Sequence, residues 1–363
     1  MSNEIEYKNL IAFHPGSYVE EIVEDLNITQ AEFAARLEVS PKTISKIING
    51  KENITSSIAN KLSKVTGISI KTWLNLQANF DSKIEEIENE KNQNEKKVCN
   101  CINFSYLESN GYIAKKRYKL KQKIEVLHKL LNLSNLTRLE DFNAAVSYRR
   151  STSTNERKSI ICSNVMLELA TSNARNKTTN KYNREKLLKI LPTIKKMILE
   201  DPDLFYPKLK KLLLTCGIVL EALPNLPGAR LNGATKKFKN GSVLLLITDK
   251  NKYADIFWFS LVHELGHIYY EDFYSGYKDK NQYQEKERKA DQFATDFFIS
   301  QKEYKNYVSE GIFTSRTIKT FAKKTKVSAG IVVGRLQSDG LINFSQFNKL
   351  RDKYEISLNT TKG

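Results

Sequence analysis

The stretch FWFSLVHELGHIYYED, residues 257–272, sets two histidines four residues apart in an apolar run, with a glutamate between them. In a helix, residues i and i+4 share a face. His263 and His267 can therefore aim both imidazoles at one cation while Glu264 projects beside it. Zinc held this way keeps positions for a third ligand and for water. The metal lowers the pKa of that water toward ~7, and the adjacent glutamate can take its proton. The competing reading is an ordinary buried helix that happens to carry two histidines, because the bare pattern also arises by chance.

The residues downstream decide between the two. EKERKADQFATDFF, residues 285–298, reads as a second helix in which Glu287 would reach the metal. Asp291, four residues on, can accept the N–H of a metal-bound histidine and fix its ring. Glu271, Asp272, Glu285 and Asp296 are competing carboxylates. Glu271 would lie about 6 Å beyond His267 along the first helix, an awkward reach for closing a tetrahedral site. Glu287 is preferred. Two imidazoles and one carboxylate suit zinc, with manganese as the second candidate.

Working outward, the period of the sequence changes near residue 216. GIVLEAL (217–223) and SVLLLIT (242–248) read as strands, bracketed by the turn-rich LPNLPGARLNG at 223–233. Residues 104–215 repeat apolar positions at helical spacing, as in YKLKQKIEVLHKLLNL at 118–133. Pro192 should kink or divide the helix around it. Residues 172–183 read as a polar loop. SKIEEIENEKNQNEKK (82–97) reads as an exposed helix or flexible connector. The tail at 314–350 reads as helices joined by Ser-Ala-Gly and Asp-Gly turns, with Arg316 and Arg335 read as structural salt-bridge partners in preference to substrate contacts.

Near the start, QAEFAARLEVSPKTISKII (30–48) has the logic of a helix-turn-helix. Ala34 is small where two helices must cross, and Phe33, Leu37, Val39, Ile44 and Ile47 supply a shared core. Ser40 can cap the second helix and Pro41 suits its first turn. Lys42, Thr43, Ser45 and Lys46 are then left for phosphates and base edges, with Gln30 placed for a phosphate at the start of the first helix. A helix pair with no nucleic-acid role is the alternative.

Both halves carry a family resemblance. The first 80 residues resemble the HigA-type antitoxins of the Xre-like helix-turn-helix class, through HPGSYVEEIVEDLNITQAEFAARLEVS and NITSSIANKLSKVTGISIKTWLNLQANFD. Glu38 departs from the family by standing where glycine is usual at the turn, and His14 of the HPG entry reads as structural. Residues 225–300 are similar to the ImmA/IrrE metallopeptidases, with FWFSLVHELGHI and ERKADQFA as the two signature helices. His-Glu-x-x-His followed by Glu-x-x-x-Asp is the gluzincin pattern. The resemblance implies zinc ligands His263, His267 and Glu287, a general base Glu264, and cleavage of Xre-class repressors. Ser300 stands where many members have proline. Outside the motif only His14 and His128 remain, so Tyr269, Tyr270 or an arginine would have to stabilise the transition state, and that role stays unassigned. The tail resembles the C-terminal extension of HigA–ImmA fusions.

A net charge of +17 points to an anionic partner, although a solvated basic surface reads equally well. The excess lies at 102–250 rather than in the first 80 residues. Four cysteines in 363 residues make no disulfide framework, and neither a membrane span nor a secretory signal is read, so a cytoplasmic location is expected. The expected architecture is multidomain: an all-α helix-turn-helix domain at 1–81, a polar linker at 82–103, a basic helical connector at 104–215, an α+β zincin-like peptidase at 216–310 and a helical extension at 311–363. The expected function is a DNA-binding regulator carrying a zinc-dependent endopeptidase. Its expected partners are a double-stranded operator, a protein substrate (an Xre-class repressor or the chain itself), a toxin and a second copy of the chain. The rivals are an antitoxin with an inert peptidase-like half that binds a protein, and a zinc-stabilised scaffold; Glu264 weakens the scaffold reading because a structural site needs no base.

Overall fold

The computed structural model describes residues 4–140, 156–273 and 280–358. The chain divides into two compact units, Met1–Glu95 and Lys96–Gly363.

The first unit begins with strands β1 (Glu4–Tyr7) and β2 (Leu10–Phe13), paired antiparallel. The sequence had suggested only helices here. The tight turn between them places Lys8 at φ 56° without a glycine, so the usual hairpin signal is missing. Helices α1 (Gly16–Asp25), α2 (Gln30–Arg36), α3 (Pro41–Ile48) and α4 (Ser56–Thr66) follow. Thr29, Ser40 and Thr55 each accept a backbone N–H at the start of α2, α3 and α4. Phe33, Ala34, Leu37, Ile44 and Ile47 are buried in one core with Trp73, and Val39 packs against it. Glycine is needed at position 16, where a Cβ would sit 1.9 Å from the Ile47 carbonyl oxygen. His14 is buried and its Nδ1 accepts the Gly16 N–H at 2.9 Å, so the HPG entry is structural. Glu38 sits at φ 53°, the left-handed position where glycine is the unstrained choice.

Helix α5 runs from Ile70 to Cys101, so 82–97 takes the exposed-helix form, and the boundary between units falls within this helix rather than at a linker. In the second unit come α6 (Phe104–Ser109), α7 (Leu120–Leu131), α8 (Glu156–Ala174), α9 (Arg184–Met197) and α10 (Pro202–Thr215). Pro192 lies inside α9 without dividing it. Leu187, Ile194 and Met197 bury one face of that helix across the proline, which offsets the hydrogen bond lost there.

Strands β3 (Ile218–Leu223), β4 (Gly233–Lys237) and β5 (Val243–Thr248) form one sheet in the order β3-β5-β4. β5 is parallel to β3 and antiparallel to β4. Every residue of β3 and β5 is buried, as their mainly apolar sequences require, and the one acid among them, Glu221, pairs with Lys177 at 2.7 Å. Alternate residues serve different cores. Val219, Leu244 and Leu246 pack with Ile161, Val165 and Leu169 of α8. Ile218, Leu245 and Ile247 pack with α10 and with α11 (Ala254–Tyr269). Residues 104–215, read from sequence as a connector, thus supply layers on both faces of the sheet.

The chain continues through α12 (Lys280–Phe298), α13 (Gln301–Ser309), α14 (Ser315–Thr325) and α15 (Ala329–Ser338). Ser300 caps α13, and Ser328 caps α15, so Ser-Ala-Gly opens a helix instead of forming a turn. Arg335 is structural but forms no salt bridge among the described residues: it donates to the Ile299 carbonyl at 2.9 Å and stacks over Tyr304. Arg351 grips Asp255 in the first turn of α11 through two hydrogen bonds, 2.7 and 3.0 Å, anchoring the helix that carries the histidines. Among the described residues, no helix is long and apolar enough to cross a membrane.

Candidate metal centre and candidate nucleic-acid interface

α11 is buried along nearly its whole length, which is why it is apolar on all sides. The polar exceptions converge. His263, His267 and Glu287 each offer a ligand atom, and these atoms all lie within 4.8 Å of one another. The two Nε2 atoms are 3.1 Å apart. Glu287 Oε2 is 3.5 Å from His263 Nε2, and Oε1 is 3.4 Å from His267 Nε2. Asp291 Oδ1 lies 2.8 Å from His263 Nδ1, which turns the ring so that Nε2 faces the other donors.

Two glycines permit this approach. A Cβ on Gly266 would stand 3.2 Å from Ala290 Cα, so its absence lets α12 close on α11 and brings Glu287 into range. A Cβ on Gly233 would lie 2.7 Å from Glu264 Cγ, so the start of β4 leaves room for that carboxylate. Burial disfavours charge on the His263 ring. The hydrogen bonds from Asp291 and Glu287 and the charges of Glu264 and Glu287 outweigh it and push the pKa up to about 9. The surrounding carboxylates thus favour a positive charge on this ring.

The competing carboxylates are engaged elsewhere. α11 ends at Tyr269, and Glu271 sits beyond it at φ 53° with its carboxylate 3.6 Å from Lys237. Asp272 pairs with Lys286, and Glu285 with Lys289 at 2.7 Å. Asp296 accepts from Gln292 at 2.7 Å.

A cleft opens on this centre, lined by His263, Glu264 and Glu287 together with Phe259, Ser260, Arg230 and Asn232. Arg230 and Asn232 were not singled out from sequence: they lie in the turn-rich return before β4, where nothing in the pattern marks a side chain that will face the histidines. Tyr269 and Tyr270 do not line the cleft. Tyr269 stacks on Phe293 and lies under the Arg184 guanidinium, and Tyr270 is half exposed beside Phe293.

In the first unit, Lys42 and Lys46 are exposed on α3, and Thr43 and Ser45 are half-buried beside them, opposite the buried Ile44, Ile47 and Ile48. Gln30 is exposed at the start of α2. Thr43 also belongs to the cap, its N–H donating to Ser40 Oγ at 3.1 Å, and Lys46 pairs with Glu52 at 3.2 Å.

Comparison with known proteins follows the same division. A helix-turn-helix family profile matches residues 19–73, and a Peptidase U49 profile matches residues 250–336. The helix-turn-helix-type transcriptional regulator YddM of Escherichia coli is 43% identical over 63 residues, 17% of this chain and 67% of that protein. Virulence-associated protein A' of Dichelobacter nodosus is 41% identical over 69 residues, 19% of this chain and 60% of its own length. Among solved structures, an addiction module antidote protein of a HigA family from Coxiella burnetii is 30% identical; the match covers 22% of this chain and 92% of that one, with a TM-score of 0.20. The chain thus belongs, through its first unit, to the Xre-type helix-turn-helix regulators, and it carries in the same polypeptide a C-terminal Peptidase U49 domain of ImmA/IrrE-like kind.

Proposed function

We propose that this chain is a DNA-binding regulator whose second unit is a zinc-dependent endopeptidase. The observation that carries the reading is the convergence of two imidazoles and one carboxylate within 4.8 Å, with Glu264 beside them in an open cleft. The donor set suits zinc, with manganese the alternative. His263, His267 and Glu287 would hold the ion. Bound there, it supplies Lewis acidity that brings the pKa of a water molecule down toward ~7.

The protein's own groups do the rest. Glu264 takes a proton from the attacking water and delivers it to the departing amine. Asp291 keeps His263 in one tautomer and one orientation. Arg230 lines the same cleft, and its guanidinium would suit a carbonyl oxygen as it gains negative charge. In the first unit, α3 presents Lys42, Thr43, Ser45 and Lys46 to an operator, and Gln30 bonds a phosphate. The substrate would be an Xre-class repressor or this chain itself.

Metal analysis of purified protein tests the ligand set. About one transition-metal ion per chain is expected in the parent and in Glu264→Gln, with loss in His263→Ala and in Glu287→Ala. Equal metal content in all four proteins would overturn the assignment.

A further inference from the structure

The charge of the two units is split in a way that a DNA-binding head alone does not explain. Residues 1–95 hold ten lysines and arginines against fifteen aspartates and glutamates, so the unit bearing the helix-turn-helix is net acidic. Part of its positive charge is also spent internally, in the pairs Arg36–Glu32, Lys46–Glu52 and Lys8–Glu90. Non-specific affinity for DNA comes from neutralising phosphates and releasing their counterions, and an acidic head supplies little of it.

The missing charge lies at the entry to α7. Lys115, Lys116, Arg117, Lys119, Lys121 and Lys123 place six cations within nine residues, with no acidic residue among them. The first five are exposed and Lys123 is half-buried. Among the described residues, none of the six belongs to an ion pair. Aromatic rings support two of the chains, with Lys116 Nζ 5.1 Å from the Tyr118 ring and Lys123 Nζ 4.8 Å from that of Phe104. The cluster is also costly to the fold. Lys119 occupies the N-cap position of α7 without a side-chain cap bond, and Lys121 and Lys123 lie at its start, where the helix dipole disfavours cations and the first turn contains no acid to offset them. Unpaired charge in an unfavourable place is what an external polyanion would neutralise.

We propose that the surface from Lys115 to Lys123 is a second, sequence-independent contact for the phosphate backbone of duplex DNA. The head reads the operator and this surface supplies the electrostatic grip. DNA is chosen as the polyanion on the strength of the regulator reading above.

The test measures the affinity of the full chain for its own promoter and for random duplex across a series of salt concentrations. A Lys115→Gln, Lys116→Gln, Arg117→Gln, Lys121→Gln variant should lower the slope of log affinity against log salt by roughly three. Its affinities for both duplexes should fall by the same factor, leaving their ratio unchanged. Lys115→Arg, Lys116→Arg, Lys121→Arg should keep the parental slope. An unchanged slope in the glutamine variant, or a slope lost equally in the arginine variant, overturns the proposal. A parent with a steep, patch-dependent slope but no promoter preference would refute the head's role while leaving this surface standing.

Discussion

Arg230 and His14 show how much a single side chain decides. Arg230 shares the cleft with His263, Glu264 and Glu287 but is not among the three residues whose ligand atoms converge. Arg230→Ala should therefore leave metal content unchanged and lower peptide turnover by about 100-fold, the cost typical of removing one donor to a developing oxyanion. Coupled loss of metal and turnover would make the residue structural. His14 gives a pH dependence. Burial lowers its pKa from the ordinary value, with the charge of Asp81 acting the other way. A histidine depressed in the folded state binds its proton more readily when unfolded. Its contribution to stability is thus complete above about pH 6.5 and is lost as the pH falls through the lower folded value. Hydrogen exchange corrected for intrinsic rates should show residues 16–48 less protected at pH 5 than at pH 7. His14→Asn keeps an acceptor for the Gly16 N–H and should abolish the difference; a difference that persists would assign it to another group.

Among the elements, the crossing of α11 and α12 controls the metal centre. A Cβ at Gly266 would stand 3.2 Å from Ala290 Cα and from the Phe293 ring, so a branched residue there is expected to push the helices apart and carry Glu287 away from the histidines. Gly266→Val should weaken metal affinity at least tenfold while the helical circular dichroism signal is retained; unchanged affinity would mean that the ligand set tolerates the shift. The elements also show what sequence pattern does and does not reveal. β3, β5 and α2–α3 are legible because strongly apolar segments, Ser and Thr caps and the Pro41 entry act locally. The His-Glu-x-x-His spacing is legible for the same reason. The β1–β2 hairpin is not, because it turns through Lys8 instead of a glycine. Nor are Arg230, Asn232 and Gly233, whose meeting with α11 depends on how the chain returns to the sheet edge. The buried grip of Arg351 on Asp255 spans 96 residues, and no periodicity anticipates it.

For the molecule as a whole, the two units place a candidate peptidase and a DNA-binding head in one chain. Linkage in one chain replaces a bimolecular encounter with an intramolecular one, at an effective concentration set by the length and stiffness of the connection, here the helix α5. Even a poor cleavage site in the chain's own first unit, or in a related repressor bound to the same operator, could then be used. Metal, base and target are all tested by a single measurement. Metal-loaded protein and its Glu264→Gln variant are incubated separately, alone and with the co-encoded regulators, and the fragments are sized by mass spectrometry. Discrete cuts in a helix-turn-helix protein that appear with the parent, and are absent both with Glu264→Gln and with the parent plus chelator, are the predicted result. Fragments formed equally by parent and variant, or an intact substrate under every condition, would contradict it.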